Sequence, residues 1–353
     1  MGEVRRHTIA LIPGDGIGKD VTTAALRVLQ AAEERYAFAL DTTSFPWGCD
    51  YYMAEGCMMP DDGIEQLRPF DAIFLGAIGS PSLVPDHISL HELLLRIRRE
   101  FQQFVNMRPH RVLAGVESPL RSAQFDLLVI RENSEGEYVG AGGRAHVGTV
   151  HEVAIETAIF TRHGCERVMR FAFEEARKRS GRLAAATKSN AQRHSMVFWD
   201  EVLAHVAADY PDVQTNKYHI DALCARFITH PQTLDVVVAS NLFGDILTDI
   251  GAALQGGLGF AASGNIDPTR TYPSMFEPVH GSAPDISGKG IANPSAAIWA
   301  GAMMLDFLGE REAAAAVIHA LEAVTRAGQV RTPDMGGTST TEEMADAVAQ
   351  AVA

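Results

Sequence analysis

The sequence predicts an α/β protein with a substantial parallel or mixed β-sheet, and three observations carry this prediction. First, the chain opens with an apolar strand, a glycine-rich loop and a helical segment in direct succession. Second, further apolar runs of strand length recur along the chain, and most are followed by a polar loop and a helix-length amphipathic stretch. Third, the chain has 353 residues, which at about 150 residues per domain predicts two domains able to enclose a cleft.

The elements are assigned in chain order. The opening strand spans residues 8–12, and after the loop at 13–18 a helix extends from about residue 19 to residue 36. Further strands are predicted at residues 71–75, 125–130, 183–187 and 235–239, and C-terminal helices at residues 294–308 and 341–352. Because these strands are apolar throughout, helices are expected to cover both faces of the sheet.

Residues 132–148 do not fit this alternation. They are rich in glycine and polar residues and lead into an alternating segment around residues 151–161. A loop of that length inside a compact domain is uncommon. We therefore expect a protruding hairpin that clasps a second subunit.

The opening loop PGDGIG does not match the dinucleotide-binding fingerprint. The GxGxxG pattern would need a glycine where Lys19 stands, and no acidic residue follows about twenty positions later at the end of a second strand. The loop alone is therefore no evidence for a nucleotide site. The sequence also contains no GxxxxGK[ST], HExxH or GxSxG motif, which disfavours the common P-loop, zincin and serine-hydrolase classes.

Composition narrows the partners and the compartment. With 30 Lys+Arg and 44 Asp+Glu, the formal net charge is −14, which disfavours nucleic acid and an anionic membrane as partners. No apolar run reaches 18 residues, and the apolar stretch at residues 9–13 is too short for a signal-peptide core, so a soluble protein is expected. Reduced thiols in a cytoplasmic protein are expected for the four separated cysteines, Cys49, Cys57, Cys165 and Cys224.

Two aspartates follow the predicted strand at 235–239. Asp245 and Asp249 are four residues apart, so on a helix they share one face. Paired carboxylates repel unless a cation or a proton lies between them, and as hard oxygen donors they suit Mg²⁺ or Mn²⁺. The alternative is a solvated acidic pair on an outer helix face. Their position at the carboxyl end of a strand favours a ligand site.

Basic residues and a second loop supply the remaining candidates. Arginine offers a planar fork that matches carboxylates, so converging guanidinium groups would suit a dicarboxylate. The candidate series consists of Arg96, Arg98, Arg99, Arg108 and Arg131. Several of these arginines are expected to be surface residues instead. The loop at 277–286 is rich in small residues that let backbone approach a ligand closely, and Asp285 could accept a hydrogen bond from a ribose hydroxyl. The alternative is that the loop is only a connector, which is the usual role of a loop of this composition.

Five motifs together resemble the β-decarboxylating dehydrogenase family, which includes isopropylmalate, isocitrate, homoisocitrate, D-malate and tartrate dehydrogenases. The resemblance covers essentially the whole chain. Its most specific parts are LIPGDGIG (11–18), NMRP (106–109), VIRENSEGEY (129–138), SNLFGDILTD (240–249) and EPVHGSAPD (277–285). Three further stretches resemble the tartrate and D-malate dehydrogenase branch: WGCDYY (47–52), PDHISL (85–90) and YHIDALC (218–224).

The resemblance implies a non-Rossmann fold of two domains and a homodimer with shared active sites. Both chain ends, residues 1–102 and 255–353, would form the large cofactor-side domain. Residues 103–254 would form a small domain with the substrate and metal residues. A dimer clasp would occupy about residues 133–162, in agreement with the glycine-rich excursion.

The resemblance also implies roles for individual residues. Substrate binding falls to Arg98, Arg108, Arg131 and Leu94, and metal binding to Asp245, Asp249 and, from the partner subunit, Asp221. Lys188 of the partner subunit would take the hydroxyl proton, and Tyr138 would protonate carbon. The cofactor residues would be Ile12, His280, Gly281, Ser282, Ala283, Asp285, Ile286 and Asn293. Asp285 implies NAD rather than NADP, and a monovalent cation is a further candidate.

The implied activity is metal- and NAD-dependent oxidation and decarboxylation of a small (R)-2-hydroxy diacid, tartrate or D-malate. One departure bears on the substrate: that branch generally carries Trp-Gly where this chain has His91 and Glu92. Leu94 and Leu95 are also compatible with an apolar C3 group, so 3-isopropylmalate is the alternative substrate. A catalytically silent regulatory paralogue is the non-enzyme alternative, and it would be expected to lack an acid-base or metal residue.

Overall fold

The strands confirm the α/β prediction. The computed structural model describes residues 4–122 and 124–353 of the chain. In this part the strands are β1 (Arg5–Gly14), β2 (Phe38–Ser44), β3 (Ala72–Ala77), β4 (Val105–Arg111), β5 (Asp126–Glu132), β6 (Gly136–Ala145), β7 (Val153–Ile159), β8 (Arg182–Thr187), β9 (Gln214–His219), β10 (Val236–Ala239), β11 (Ala262–Ile266) and β12 (Ser274–Pro278). Each apolar run predicted as a strand lies in one of these, with its boundaries shifted by a few residues.

The helices alternate with these strands. They are α1 (Gly18–Tyr36), α2 (Cys49–Glu55), α3 (Gly63–Leu67), α4 (Asp86–Ser89), α5 (Leu95–Glu100), α6 (Arg162–Lys178), α7 (Ser195–Ala207), α8 (Ile220–Thr229), α9 (Asn241–Leu254), α10 (Ser295–Leu308), α11 (Arg311–Ala327) and α12 (Thr341–Val352). A π-helical turn, Leu90–Leu94, joins α4 to α5, and short 3₁₀ turns lie at Pro231–Thr233, Leu258–Phe260 and Pro333–Met335. No helix of residues 4–122 and 124–353 is long and apolar enough to cross a membrane.

The chain forms two compact units, and each consists of separate chain segments. The first contains Met1–Gln103, Arg111–Ala123 and Ala252–Ala353, and the second contains Phe104–His110 and Gln124–Gly251. The sequence prediction placed residues 103–254 together, whereas residues 111–123 group with the first unit. The cofactor-side and dimer-clasp roles of the predicted domains stay predictions.

The first unit is built on the strand order β2-β1-β3-β12-β11. Strands β2, β1, β3 and β12 are parallel to one another, and β11 pairs antiparallel with β12. One face is covered by a core cluster that includes Ile12, Leu75 and Phe101. Helix α10 is almost entirely buried, as its continuous apolar sequence predicts.

The second unit contains the strand order β4-β5-β10-β8-β9. Strands β5, β10, β8 and β9 are parallel, so their carboxyl ends share one edge. Large buried side chains fill the space under the helices, among them Phe173, Trp199 and Phe227.

The predicted excursion is a separate antiparallel hairpin of β6 and β7. Every residue of β7 is exposed, and the apolar Val153 and Ile155 lie on this open surface. Its clasp function stays a prediction.

Candidate active site

Strand register in the second unit brings the predicted substrate arginine to the start of α9. Strand β5 is parallel to β10, and Arg131 lies opposite Ala239, two residues before α9 begins. Helix α9 carries Asp245 and Asp249 one turn apart, as the spacing predicts. This edge of the sheet, where parallel strands end, is the usual place for ligands in open α/β sheets.

The centre of the site is the Asp245 carboxylate. One oxygen, Oδ1, accepts from Arg131 Nη1, and the other, Oδ2, accepts from the Tyr138 hydroxyl over 2.9 Å. The Arg131 guanidinium carbon lies 5.6 Å from the centroid of the Tyr138 ring. Burial and then the Asp245 charge raise the pKa of Tyr138 to about 12, so its hydroxyl remains protonated at neutral pH.

A second arginine and a second aspartate complete this group. Arg108 Nη1 donates to Thr248 Oγ1 over 2.5 Å and lies 3.6 Å from Asp245 Oδ1. Burial and then the Asp245 charge raise the pKa of Asp249, although Arg108 and Arg131 partly oppose the rise. Two carboxylates whose charges disfavour each other are a donor set that fits a divalent cation.

One chain supplies two of the three predicted metal carboxylates to this group. Among residues 4–122 and 124–353 no set of three His, Cys, Asp or Glu side chains could hold a metal ion. Asp221 instead pairs with Lys188: Lys188 Nζ donates to Asp221 Oδ1 over 2.6 Å, and this bond is the main cause that lowers the pKa of Asp221. The two meet because β8 and β9 end side by side, with Thr187 opposite His219.

The third predicted substrate arginine belongs to the first unit. Arg98 is 5% exposed, and its Nη2 donates to Glu277 Oε1 over 2.7 Å. Its Nε is buried and has no acceptor among the described residues. Of the two other members of the basic series, Arg99 is exposed and pairs with its neighbour Glu100, so it is one of the surface residues that the series was expected to contain. Arg96 is half-buried and donates to the carbonyl of Asp61 over 2.8 Å.

The departure from the family pattern lies in the π-helical turn, Leu90–Leu94. Leu93 is buried in the core cluster and Leu94 is half-buried against it, whereas His91 and Glu92 are exposed. A π turn inserts one residue into a helix and is found often at functional sites. The two unusual residues therefore stand on the solvent side of this turn.

The predicted cofactor residues lie in the first unit. Ile12 is fully buried in β1, and Asn293 is buried with its Nδ2 donating to Asp334 Oδ2 over 2.9 Å. Asp285 is exposed. The loop that follows β12 contains the remaining members: His280, Gly281, Ser282, Ala283 and Ile286.

This loop fits the adenosine half of a dinucleotide. His280 Nε2 is buried without a partner among the described residues, and burial lowers the pKa of His280, so the neutral ring can donate or accept. A Cβ added at Gly281, Gly288 or Gly290 would meet nothing within 4 Å, which leaves open space for a ligand close to the backbone. The exposed Asp285 carboxylate would accept from a ribose hydroxyl and repel a 2′-phosphate.

A buried carboxylate ties this loop to the opening loop of the chain. Asp15 is 4% exposed; its Oδ1 accepts from Cys49 N over 2.7 Å and its Oδ2 from Gly79 N over 2.9 Å. The Gly79 carbonyl in turn accepts from the Ser282 hydroxyl, and Ser282 O accepts from Ile17 N over 2.8 Å. The PGDGIG loop is therefore a structural partner of the 280–286 loop.

Three contributors to the site were not assigned a role from sequence: Asn241, Thr248 and Asp15. Asn241 and Thr248 lie within the SNLFGDILTD motif and hydrogen-bond to Arg131 and Arg108, respectively. Asp15 lies within the PGDGIG loop. The residue types gave no signal of their own, because an asparagine, a threonine or an aspartate in a loop or helix start is more often a cap.

Comparisons with known proteins identify the family of the chain. A family model described as isocitrate/isopropylmalate dehydrogenase matches residues 8–348. The chain is 56% identical over 347 residues to a probable tartrate dehydrogenase/decarboxylase of Bacillus subtilis, covering 98% of both chains. It is 54% identical to the D-malate dehydrogenase [decarboxylating] of Escherichia coli, again covering 98% of both chains. A crystal structure of isocitrate dehydrogenase from Methylococcus capsulatus superposes with a TM-score of 0.89 at 35% identity, covering 98% of this chain and 99% of that one.

The fold, the paired acidic and basic side chains and these relatives define an oxidoreductase of the decarboxylating dehydrogenase class. The predicted resemblance is confirmed: the chain belongs to the isocitrate/isopropylmalate dehydrogenase family.

Proposed function

We propose that the protein oxidises a small (R)-2-hydroxy diacid, tartrate or D-malate, with NAD and one Mg²⁺ or Mn²⁺ ion, and removes its β-carboxylate as CO₂. The observation that carries the proposal is the group around Asp245. There a protonated tyrosine, two arginines and a second aspartate meet at the carboxyl edge of the sheet. Relatives with 54–56% identity have names that specify these substrates.

The group around Asp245 contains both arginines that suit the substrate and aspartates that suit the cation. Arg108 and Arg131 offer guanidinium forks to the substrate carboxylates, together with Arg98 of the first unit. Asp245 and Asp249 would hold the divalent cation, with Asp221 from a second subunit. When bound, NAD⁺ accepts the hydride from C2, and the divalent cation stabilises negative charge that develops on the substrate oxygens.

Proton transfers fall to two side chains. Lys188 Nζ would take the substrate hydroxyl proton. Lys188 Nζ donates to Asp221 Oδ1 over 2.6 Å, which places it beside the third predicted metal carboxylate. The Tyr138 hydroxyl would give its proton to C3 after CO₂ leaves. The raised pKa of Tyr138 keeps this hydroxyl protonated at neutral pH, so a proton is present to be given.

NADH formation tests the reaction directly. Purified protein is assayed with Mn²⁺ on D-malate, the tartrate isomers and 3-isopropylmalate, each with and without chelator. Chelator-sensitive activity strongest on D-malate or tartrate supports the proposal, and loss of that activity in Asp249→Asn ties it to this group. A preference for 3-isopropylmalate would replace the substrate, and no activity on any of the three would refute the proposed reaction.

We also propose that the protein is a homodimer with shared sites. The two proposed acid-base residues of one chain, Tyr138 and Lys188, belong to different hydrogen-bonded groups, and each group would complete a site with the other group of a second chain. Tyr138 belongs to the Asp245 group and Lys188 to the Asp221 pair. Lys188→Met and Tyr138→Phe chains, each inactive alone, are co-expressed with different tags and the mixed dimer is purified. If one site uses Lys188 of one chain and Tyr138 of the other, the mixed dimer has one intact site and about half the wild-type activity. An inactive mixed dimer would place both residues in a site within one chain.

A further inference from the structure

Asn241, the first residue of α9, stands between the substrate arginine and the root of the hairpin. Its Oδ1 accepts from Arg131 Nε over 3.0 Å and from Arg131 Nη2 over 2.7 Å. Its Nδ2 donates to the carbonyl of Glu135 over 3.0 Å, directly before β6 begins. Asn241 is 3% exposed, so these hydrogen bonds are shielded from water.

These contacts fix the plane of the Arg131 guanidinium. Two donors on one edge of the fork share the Asn241 oxygen, while Nη1 on the other side reaches Asp245. The stem is fixed as well, because a Cβ at Gly244 would lie 2.6 Å from Arg131 Cβ and Cγ. Since a guanidinium donates only in its own plane, the direction in which Arg131 can bind a carboxylate is set by this amide.

The same amide is tied to the hairpin. A Cβ at Gly136 would lie 3.3 Å from Asn241 Cβ, in a backbone with φ of +79° that favours glycine. The Glu135 side chain then joins the other end of the hairpin, since it accepts from Thr161 N over 2.8 Å and from the Thr161 hydroxyl. Asn241 therefore sits where the hairpin leaves the globule.

We propose that Asn241 is a positioning residue, which sets the orientation of Arg131 for the substrate carboxylate and holds that orientation in register with the hairpin root. The proposal rests on the proposed function for the identity of the ligand. Asn241 does not touch substrate in this assignment; it acts through Arg131.

The test replaces the amide and measures substrate affinity separately from turnover. Asn241→Ser keeps a residue that is favoured at a helix N-terminus but is too short to span to Arg131, and Asn241→Ala removes all polar contact. Loss of a hydrogen bond to a charged group predicts a rise of about ten- to a hundredfold in the KM for the hydroxy acid. The KM for NAD should be unchanged, and kcat should fall less than the hydroxy-acid KM rises.

A matched control lies at the opposite end of β10. Asp235 is 5% exposed and accepts from Arg179 Nε over 2.5 Å, so it also anchors an arginine, but away from the site. Asp235→Asn should lower the melting temperature without changing the KM for the hydroxy acid. If Asp235→Asn raises that KM as much as Asn241→Ser does, the effect is one of general stability and the proposal is overturned.

A double-mutant cycle with Arg131→Lys separates positioning from an independent role. Lysine lacks the planar fork, so the Asn241→Ser change should add little to its KM; multiplicative effects would overturn the proposal. The same cycle in chemical denaturation needs no substrate, and coupling between residues 241 and 131 should persist there. If the wild type is inactive but the two substitutions are coupled in their effects on the free energy of unfolding, the proposed reaction is refuted and the contact between Asn241 and Arg131 stands. If those effects are additive, the contact itself is refuted.

Discussion

Replacing Tyr138 by phenylalanine removes one hydroxyl and leaves the ring under Arg131. In the structure that hydroxyl donates to Asp245 Oδ2 over 2.9 Å, and the Arg131 guanidinium carbon lies 5.6 Å from the ring centroid. The substitution therefore deletes one hydrogen bond and the proposed proton donor, and it preserves the packing and the cation–π contact.

The two consequences differ in size. A hydrogen bond to a buried charged group contributes about 1.5–3 kcal/mol. The Asp245 side chain is 37% exposed, so screening reduces the expected loss of stability to about 1 kcal/mol. Loss of a general acid lowers the rate by about 10²–10⁴-fold, which corresponds to about 3–5 kcal/mol of barrier. The fall in kcat should therefore far exceed what the stability change can cause.

Tyr210 provides the matched control. It is buried and stacked on Phe173, the Arg177 guanidinium carbon lies 4.3 Å from its ring centroid, and burial together with a hydrogen bond to Glu174 raises its pKa. Tyr210→Phe thus removes a similar hydroxyl outside the site. Steady-state NADH formation and denaturant unfolding are measured for both variants. A kcat for Tyr138→Phe within threefold of that of Tyr210→Phe, where threefold is roughly 0.7 kcal/mol of barrier, would refute the proton-donor assignment.

Three further predictions concern the cation and the cofactor. The pKa of Asp249 is raised in the folded protein, so Asp249 remains protonated to a higher pH in the folded state than in the unfolded state. The metal-free protein therefore loses stability as the pH rises from the unfolded-state pKa of Asp249 to its folded-state pKa. Asp249→Asn should hence raise the melting temperature of the chelated protein at neutral pH and abolish the rise that Mn²⁺ causes; a wild-type response to Mn²⁺ would contradict this. Asp15→Asn leaves one of two backbone donors without an acceptor and should weaken NADH binding by about tenfold in fluorescence titration. Asp267→Asn, which disturbs a comparable buried carboxylate that accepts from Thr271 N over 3.0 Å, should lower stability alone, and equal effects on NADH would count against the loop contact. Asp285→Ser should shift the ratio of kcat/KM values towards NADP, because it removes the charge that opposes a 2′-phosphate; an unchanged ratio would show that this carboxylate does not face the ribose.

Much of the fold follows from the sequence because buried parallel strands leave a plain signal. Continuous apolar runs of four residues place β5, β8 and β10, and their shared direction follows from the helices between them. The sequence also indicates the hairpin, because the glycine-rich and polar residues 132–148 lack an apolar face that could be buried in the core. The boundary at residues 111–123 was not predictable, since a short segment that returns to the other unit has no compositional mark.

Predictability of the site depends on whether a role comes from spacing or from register. Asp245 and Asp249 can be paired from sequence because four residues make one helical turn. The role of Asn241 depends instead on the pairing of β5 with β10, which sets Arg131 beside Ala239. Asn241 and Arg131 are 110 positions apart in the chain, so only the folded sheet brings them together.

Charge balance explains why the site can hold its charges before any ligand binds. The group around Asp245 contains two guanidinium groups and two carboxylates and is formally neutral; its members are Arg108, Arg131, Asp245 and Asp249. The Lys188–Asp221 pair of the same unit is neutral as well. A divalent cation alone would add two positive charges to a partly buried site, and a dicarboxylate alone would add two negative ones. If the protein binds a divalent cation and a dicarboxylate as proposed, the two together add no net charge, so each would lower the electrostatic cost of binding the other, and a neutral site would favour the pair over either one separately.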